Sequence, residues 1–207
     1  MAIVSKIMFL ILSYLLGACP NGYIIAKVVK NVDIRQCGSG NVGATNVFRV
    51  VGKRWGLLAL LCDIAKGVLA VCLWKYVTTI VDGPELSQRF LFLCGVVAIM
   101  GHNWTIFLNF KGGKGVSTTL GVLLGLFPVT VLIATAVALS LIWITHYVSV
   151  GSIIGALIFP IIFAIKNRSM DDFPFFMVVI LIIAVMIIVK HRGNIKRLLK
   201  GEENKAF

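Results

Sequence analysis

The longest uncharged stretch of this chain places the strongest limit on how the chain can fold. Residues 115–165 contain no Asp, Glu, Lys or Arg over 51 positions. As a single α-helix this stretch would be roughly 76 Å long at 1.5 Å per residue, whereas the hydrocarbon core of a bilayer is about 30 Å thick. The stretch must therefore fold as two or three membrane-spanning helices.

Four further apolar runs each have about the length needed to cross a bilayer, roughly 20 residues. These runs are residues 7–26, 56–76, 90–110 and 173–189. Apolar residues make up 59% of the chain and charged residues only 14%, so the composition excludes an ordinary soluble domain. The sequence predicts an all-α, polytopic membrane protein organised as one domain, residues 1–207.

The charges between the apolar runs predict the orientation of the chain. Two segments are strongly basic: the link between the first two runs, with Lys27, Lys30, Arg35, Arg49, Lys53 and Arg54, and the tail, with Lys190, Arg192, Lys196, Arg197, Lys200 and Lys205. Because cytoplasmic loops carry an excess of Lys and Arg, both segments are predicted to be cytoplasmic. The link with Asp82 and Glu85 and the link over residues 166–172 have no basic excess. We expect these two links outside.

This orientation requires the 115–165 stretch to cross the membrane an odd number of times, and its length excludes a single crossing. Three short spans of roughly 17 residues reach the lower limit for crossing. The prediction is seven transmembrane helices, with the N-terminus outside, the C-terminus cytoplasmic, and breaks near Pro128 and at residues 145–149. Four polar segments then meet at the cytoplasmic side: residues 38–49, 102–115, 145–152 and 191–201.

Two glycine-rich segments at the mouths of spans, residues 38–46 and 110–115, have the composition of phosphate-binding loops. Glycine lets backbone N–H groups close around an oxyanion, and lysine, arginine and asparagine add charge and directional donors. Neither segment is a nucleotide motif, because no strand precedes the first and Lys114 is not followed by Ser or Thr. The predicted substrate-binding residues are Ser39, Gly40, Asn41, Thr45, Asn46, Arg49, His102, Lys111, Gly112, Gly113 and Gly115.

Asp63 and Lys66 are ionisable residues within an apolar run, where charges are costly unless they are paired or functional. Their i, i+3 spacing places them on one helix face. Two interpretations stay open: a mutual ion pair, or a supporting role at the site. The cysteines and histidines have no metal-ligand spacing, so we expect no metal and no cofactor. The small-residue pairs Gly121/Gly125 and Gly151/Gly155 predict close helix contacts.

Further residues accompany the two glycine-rich segments: Gly101-His102-Asn103, Asp63-Ile64-Ala65-Lys66-Gly67, Tyr147, Ser149, Ser152 and the tail 191–198. Together with those segments, they resemble the bacterial acyl-phosphate:glycerol-3-phosphate acyltransferases of the PlsY family. The resemblance runs nearly end to end. Two departures stand out: Thr105 replaces the usual proline, which we expect to loosen the loop, and His146 replaces an arginine, which removes a phosphate contact.

The resemblance implies a seven-helix enzyme of the bacterial inner membrane, with its active site on the cytoplasmic side, that makes lysophosphatidic acid from glycerol 3-phosphate and a long-chain acyl phosphate. Acyl-CoA and acyl carrier protein are not expected as donors. Expected partners are these substrates, membrane lipid and a soluble acyl-phosphate synthase, with no nucleic acid. The predicted catalytic residues are Lys114, Ser152, His191 and Asn194, and the supporting ones are Asp63, Lys66 and Ser149.

The needs of two anionic substrates suggest how these roles divide. The two glycine-rich segments hold the donor phosphate, Arg49 and Lys114 neutralise phosphate charge, and Ser152, His191 and Asn194 orient glycerol 3-phosphate. Either His191 or a substrate phosphate oxygen accepts the hydroxyl proton.

Two other classes of function remain as alternatives. A transporter of an organic phosphate would also use basic, glycine-rich breaks, although it should have polar groups near the midplane. A head-group phosphotransferase would need clustered acids for a metal, and the chain has only eight acidic residues.

Overall fold

The computed structural model describes residues 3–80 and 87–205, with the side chains of residues 78–80 left out of that description. In these ranges every regular element is helical. The chain divides into two compact units, Met1–Leu126 and Phe127–Phe207. The predicted external link with Asp82 and Glu85 lies outside the described residues.

Within the described residues, the first unit contains six α-helices and the second contains four. In the first unit they are α1 (Ile3–Ala18), α2 (Asn21–Lys30), α3 (Ala44–Val50), α4 (Lys53–Ile80), α5 (Gln88–Asn103) and α6 (Val116–Leu126). In the second unit they are α7 (Pro128–Thr145), α8 (Val148–Asn167), α9 (Phe173–Lys190) and α10 (Arg192–Leu199).

The uncharged stretch 115–165 folds as three helices, α6, α7 and α8, and both predicted breaks are confirmed. Pro128 is the first residue of α7, where its missing N–H costs no intrahelical bond. His146 ends α7 in the left-handed conformation, with φ of 63°. The three lengths are unequal, however, at 11, 18 and 20 residues rather than roughly 17 each.

Six helical stretches within the described residues are long and apolar enough to cross a membrane. They are Ile3–Lys30, Lys53–Val77, Gln88–Leu108, Pro128–Thr145, Val148–Asn167 and Phe173–Lys190. The protein is therefore a multi-pass membrane protein. The shorter apolar helix α6 has 11 residues and a length of roughly 16 Å at 1.5 Å per residue. Because α6 alone is short for a crossing, the seventh span and the orientation stay predictions.

Glycine contacts let the helices of the first unit approach one another closely. A Cβ atom on Gly121 of α6 would overlap the carbonyl oxygen of Ile64 on α4, and one on Gly67 of α4 would overlap the carbonyl oxygen of Thr118 on α6. The helix α1 is joined to α4 by Trp74, whose Nε1 donates to Ser13 Oγ at 2.8 Å. The small-residue contact predicted at Gly121 is thereby confirmed.

The second unit is packed by a further glycine contact and by aromatic rings. Gly151 of α8 lies against the backbone of Ala138 on α7, as its spacing predicted. Phe127 packs edge-on against Phe163 and Phe176, with ring centroids 4.9 and 5.3 Å apart. Such edge-to-face pairs stabilise packing beyond the apolar area that they bury.

Candidate active site

The first glycine loop, residues 38–46, is held in shape by the side chain of Asn46. Asn46 is 1% exposed. Its Nδ2 donates to the carbonyl oxygens of Cys37 and Asn41, both at 2.9 Å, and its Oδ1 accepts from the Ser39 N–H at 2.9 Å. A second side chain, Asn41, accepts from the Gly43 N–H at 2.8 Å. We expected Asn46 to bind substrate. The structure instead shows it buried inside the loop, where it braces the backbone.

The remaining predicted residues of this loop face outward to different extents. Ser39 and Gly40 are exposed, while Thr45 and Arg49 are half-buried. Gly38 and Gly40 have φ of 58° and 71°, a conformation that favours glycine. Asn46 and Asn41 thus already use the N–H groups of Ser39 and Gly43, so these two N–H groups do not face an anion in this structure.

The second glycine loop, residues 110–115, folds back onto the end of α5. The Gly113 N–H donates to the carbonyl oxygen of His102 at 3.0 Å, and the Gly112 N–H donates to that of Asn103 at 3.3 Å. A Cβ atom on Gly112 would overlap the His102 carbonyl oxygen, and one on Gly113 would overlap the His102 imidazole. The close approach to backbone therefore requires glycine at position 112, and a side chain at position 113 would displace the His102 imidazole.

The two lysines of the second glycine loop differ in environment. Lys111 is exposed, whereas Lys114 is half-buried just before the start of α6. Gly115, between Lys114 and α6, has φ of 85°. This left-handed residue turns the chain from the loop into the helix. The backbone thus places Lys114 at the junction of a glycine loop and a helix.

A buried polar cluster joins α2, α4 and α5. Asp63 Oδ1 accepts from Lys66 Nζ at 2.8 Å and from Asn21 Nδ2 at 3.0 Å, and His102 Nδ1 lies 3.7 Å from the same oxygen. Lys66 Nζ also donates to the carbonyl oxygen of Cys19 at 2.9 Å. The ion pair that one interpretation of Asp63 and Lys66 predicted is present, joined by Asn21, which sequence reasoning missed.

A narrow recess opens beside this cluster. Its walls include Asp63 and His102 from the cluster and Val42 from the first glycine loop. The second glycine loop does not line the recess, but its Gly113 N–H donates to the backbone of His102, which does. Both segments that the sequence indicated as phosphate-binding thus belong to the first unit.

Thr105, where a proline was expected from the resemblance, also borders the recess. It is 1% exposed, and its Oγ1 donates to the carbonyl oxygen of Ala18 at 2.5 Å. The same hydroxyl accepts from the Phe107 N–H at 3.3 Å. Thr105 thus adds a hydrogen bond between this segment and α1. These contacts do not show the looser loop that we expected from the replacement of proline.

In the second unit, the predicted residues Ser149 and Asn194 meet at the carboxylate of Glu203. Ser149 Oγ and Asn194 Nδ2 donate to Glu203 Oε1 at 2.9 and 2.5 Å, and Arg197 Nε donates to Glu203 Oε2 at 2.7 Å. Burial favours the neutral acid, but the hydrogen bonds from Asn194, Arg197 and Ser149 outweigh it and hold the pKa of Glu203 below its usual range. These four residues form what we call the Glu203 cluster.

The other two predicted catalytic residues of this unit bond to their own helices. Ser152 Oγ donates to the carbonyl oxygen of Val148 at 2.9 Å. His191 is 3% exposed, and its Nδ1 lies 2.8 Å from the carbonyl oxygen of Ile187. Because a carbonyl only accepts, this contact places the imidazole proton on Nδ1 and the lone pair of the neutral ring on Nε2. Nε2 is the atom that would accept a proton.

Three comparisons with known proteins agree. The profile of a family described as "Glycerol-3-phosphate acyltransferase" matches residues 7–201. Curated relatives of that name include one from Desulforudis audaxviator, 45% identical over 99% of this chain and 98% of its own length, and one from Halalkalibacterium halodurans, 44% identical over 93% and 91%.

Two solved structures have a similar fold. They are crystal structures of PlsY (YgiH), an integral membrane glycerol 3-phosphate acyltransferase, in a glycerol 3-phosphate form and a lysophosphatidic acid form. Their TM-scores are 0.83 and 0.81, each at 36% identity over 97% of this chain and 95% of the other.

Proposed function

Because this chain belongs to the glycerol-3-phosphate acyltransferase family, we propose that it transfers a fatty acyl group from acyl phosphate to the sn-1 hydroxyl of glycerol 3-phosphate. The products are 1-acyl-glycerol 3-phosphate, which is lysophosphatidic acid, and inorganic phosphate. The observation that carries the proposal is that both glycine loops belong to the first unit: Val42 of the first loop lines the recess, and the second loop packs on the backbone of His102, which lines the same recess. The binding of glycerol 3-phosphate by the similar PlsY structure supports the same acceptor.

The proposed donor, an acyl phosphate, is already activated for acyl transfer. Its carbonyl carbon already carries a good leaving group, so no covalent acyl-enzyme is needed. The oxygen of the glycerol hydroxyl forms a bond to the acyl carbon, and the bond between that carbon and the phosphate oxygen breaks. Lys114 and Arg49 are assigned to stabilise the phosphate that leaves, with the hydroxyl groups of Ser39 and Thr45 as further donors.

The acceptor is assigned to residues of the second unit. Ser152, His191 and Asn194 are proposed to orient glycerol 3-phosphate, and Ser149 supports them. The hydroxyl proton passes either to His191 Nε2 or to a phosphate oxygen of the substrates. A neutral His191 whose Nδ1 donates to the Ile187 carbonyl would take this proton at Nε2. If the His191→Ala variant kept most of its turnover at saturating substrate, the proton acceptor would be a phosphate oxygen instead.

The roles of the buried residues of the first unit are structural in this proposal. Asp63 and Lys66 hold Asn21 and His102 in one polar network, and His102 supports the second glycine loop through its backbone. Asn46 braces the first glycine loop. Each therefore shapes the donor site without needing to touch the donor.

The proposed location is the bacterial cytoplasmic membrane, with the reaction at the cytoplasmic face. The basic link and the basic tail support this side through the positive-inside rule. A soluble acyl-phosphate synthase at that face is the expected source of the donor, and the acyl chain and product belong to the lipid phase.

The test is product formation by the purified protein with labelled glycerol 3-phosphate and either acyl phosphate or acyl-CoA. We expect labelled 1-acyl-glycerol 3-phosphate from acyl phosphate and none from acyl-CoA. Product from acyl-CoA alone would overturn the donor assignment. With no product from either donor, accumulation of glycerol 3-phosphate inside protein-containing liposomes would favour the transporter instead.

A further inference from the structure

Glu203 lies in a basic tail but turns its carboxylate into the protein. Its side chain is 4% exposed, whereas the neighbouring Glu202 is exposed. The carboxylate receives three hydrogen bonds, from Ser149 at the start of α8 and from Asn194 and Arg197 on α10. One acidic side chain thus links the tail to two separate helices.

Burying a carboxylate is costly unless its oxygens are satisfied by strong donors. Here both oxygens are satisfied: Oε1 accepts from Ser149 Oγ and Asn194 Nδ2, and Oε2 accepts from Arg197 Nε. Hydrogen bonds to an ionised acceptor are stronger than neutral ones. The cluster is therefore a built arrangement and differs from a surface ion pair between mobile side chains.

The carboxylate decides which way the Asn194 amide points. An ionised carboxylate only accepts, so Asn194 must turn its NH₂ group toward Glu203. The amide carbonyl, Oδ1, is then on the other side of the side chain. A carbonyl oxygen in that fixed orientation can accept a hydrogen bond from a hydroxyl of a glycerol backbone. Without the carboxylate, the amide would lose the charge that holds it in one of its two orientations.

We propose that Glu203 is a positioning residue of the acceptor site: it orients the Asn194 amide and the Ser149 hydroxyl, and it makes the C-terminal tail part of that site. This inference rests on the proposed function, because Asn194 is assigned there to glycerol 3-phosphate. It adds a residue that neither the composition nor a motif indicated.

The test compares Glu203→Gln with Glu202→Gln, which removes the same charge from the adjacent exposed position. Glutamine has nearly the shape of glutamate, but donors face both oxygens of Glu203, so the new NH₂ group meets a donor in either orientation. We expect the KM for glycerol 3-phosphate to rise about tenfold or more in Glu203→Gln, with a smaller change in kcat. Glu202→Gln should match the wild type.

A double-mutant cycle separates positioning through Asn194 from general support of the fold. If Glu203 acts through Asn194, Glu203→Gln should add little to the KM of Asn194→Ala, because the amide is already gone. Full multiplication of the two effects would overturn the proposal. Glu203→Asp keeps the charge on a shorter side chain, and we expect its KM to lie between those of the wild type and Glu203→Gln.

A binding measurement keeps this test independent of the donor assignment. Calorimetric titration of each variant with glycerol 3-phosphate needs no acyl donor, so it still reports on Glu203 if acyl phosphate is the wrong donor. Weaker binding by Glu203→Gln at an unchanged melting temperature supports positioning. Unchanged or tighter binding would contradict it, and tighter binding would mean that the carboxylate blocks an anion site. A melting temperature lowered equally in Glu203→Gln and Glu203→Asp, with unchanged binding, would assign Glu203 to the fold alone.

Discussion

At the scale of single residues, the candidate site is organised by side chains that are buried and bonded before any substrate arrives. Asn46 connects the two ends of the first glycine loop, and Asp63 gathers Lys66 and Asn21 beside the recess. Amide and carboxylate groups at such positions must be satisfied, because an unpaired buried polar group costs about 1–3 kcal/mol. These bonds hold the first glycine loop and the buried polar cluster in fixed arrangements.

Lys114 provides the most direct test of a residue that is assigned to the donor. Lys114→Ala removes the half-buried positive charge at the junction of the second glycine loop and α6. We expect kcat/KM for acyl phosphate to fall about a hundredfold or more, as when one stabilising group is removed from a transition state. Lys53→Ala, at an exposed lysine, is the matched control and should retain wild-type kinetics. Equal kinetics in the two variants would remove Lys114 from the mechanism.

Local spacing was enough to predict some of these contacts and not others. Asp63 and Lys66 are three residues apart, so a helix alone brings them together. Asn21 reaches Asp63 across 42 residues, and Ser149 reaches Glu203 across 54. Such contacts depend on how the helices pack against one another, and the spacing of residues along the sequence does not indicate this packing. Nothing in the sequence distinguishes Glu203 from its exposed neighbour Glu202.

At the scale of elements, glycines decide where loops and helices can come close. Gly112 and Gly113 allow the second glycine loop to lie on the end of α5, and Gly121 allows α6 to pack against α4. Pro128 begins α7, and His146 ends it in the left-handed conformation. Those breaks could be predicted from residue type. The short length of α6 could not, because Val116–Leu126 and the helix that follows are equally apolar.

Gly112→Ala tests whether close packing of the second glycine loop matters for catalysis. Its Cβ would overlap the backbone of His102, which cannot move aside like a flexible side chain, so the loop and Lys114 must shift. A displacement of about 1 Å can lower the rate about a hundredfold. We therefore expect a large fall in kcat/KM.

The control for this change is Gly125→Ala on α6, where the new Cβ would lie 3.3 Å from Val71 Cβ. A neighbour need yield only slightly, so activity and melting temperature should stay near wild type. If Gly112→Ala were as active as Gly125→Ala, the loop geometry would not be needed for the reaction.

At the scale of the whole molecule, the number of crossings determines on which side each loop lies. With seven spans, the loop before Pro128 and the link over residues 166–172 are outside, and the tail is inside. If α6 does not cross, every segment after it changes side. The apolar composition is enough to identify a membrane protein from sequence. In the described residues, six stretches are long and apolar enough to cross a membrane, whereas the sequence predicted seven. Whether the number of crossings is odd or even therefore needs an experiment.

Single cysteines in a cysteine-free background can measure this parity with a membrane-impermeant thiol reagent. The positions are Val129, Asp171 and Lys196, all of which are exposed. We expect Val129→Cys and Asp171→Cys to react from outside intact cells and Lys196→Cys to react only after the cells are opened. Reaction of Lys196→Cys from outside, with protection of the other two, would show that α6 turns back without crossing.

The most direct test of the central claim is ³¹P NMR of one reaction mixture containing the purified wild-type protein, acyl phosphate and glycerol 3-phosphate. The account predicts that inorganic phosphate and lysophosphatidic acid appear together in equal amounts, and that omitting glycerol 3-phosphate stops the release of phosphate. Phosphate released without lysophosphatidic acid would show hydrolysis of the donor instead. That result would contradict direct acyl transfer between the two phosphorylated substrates.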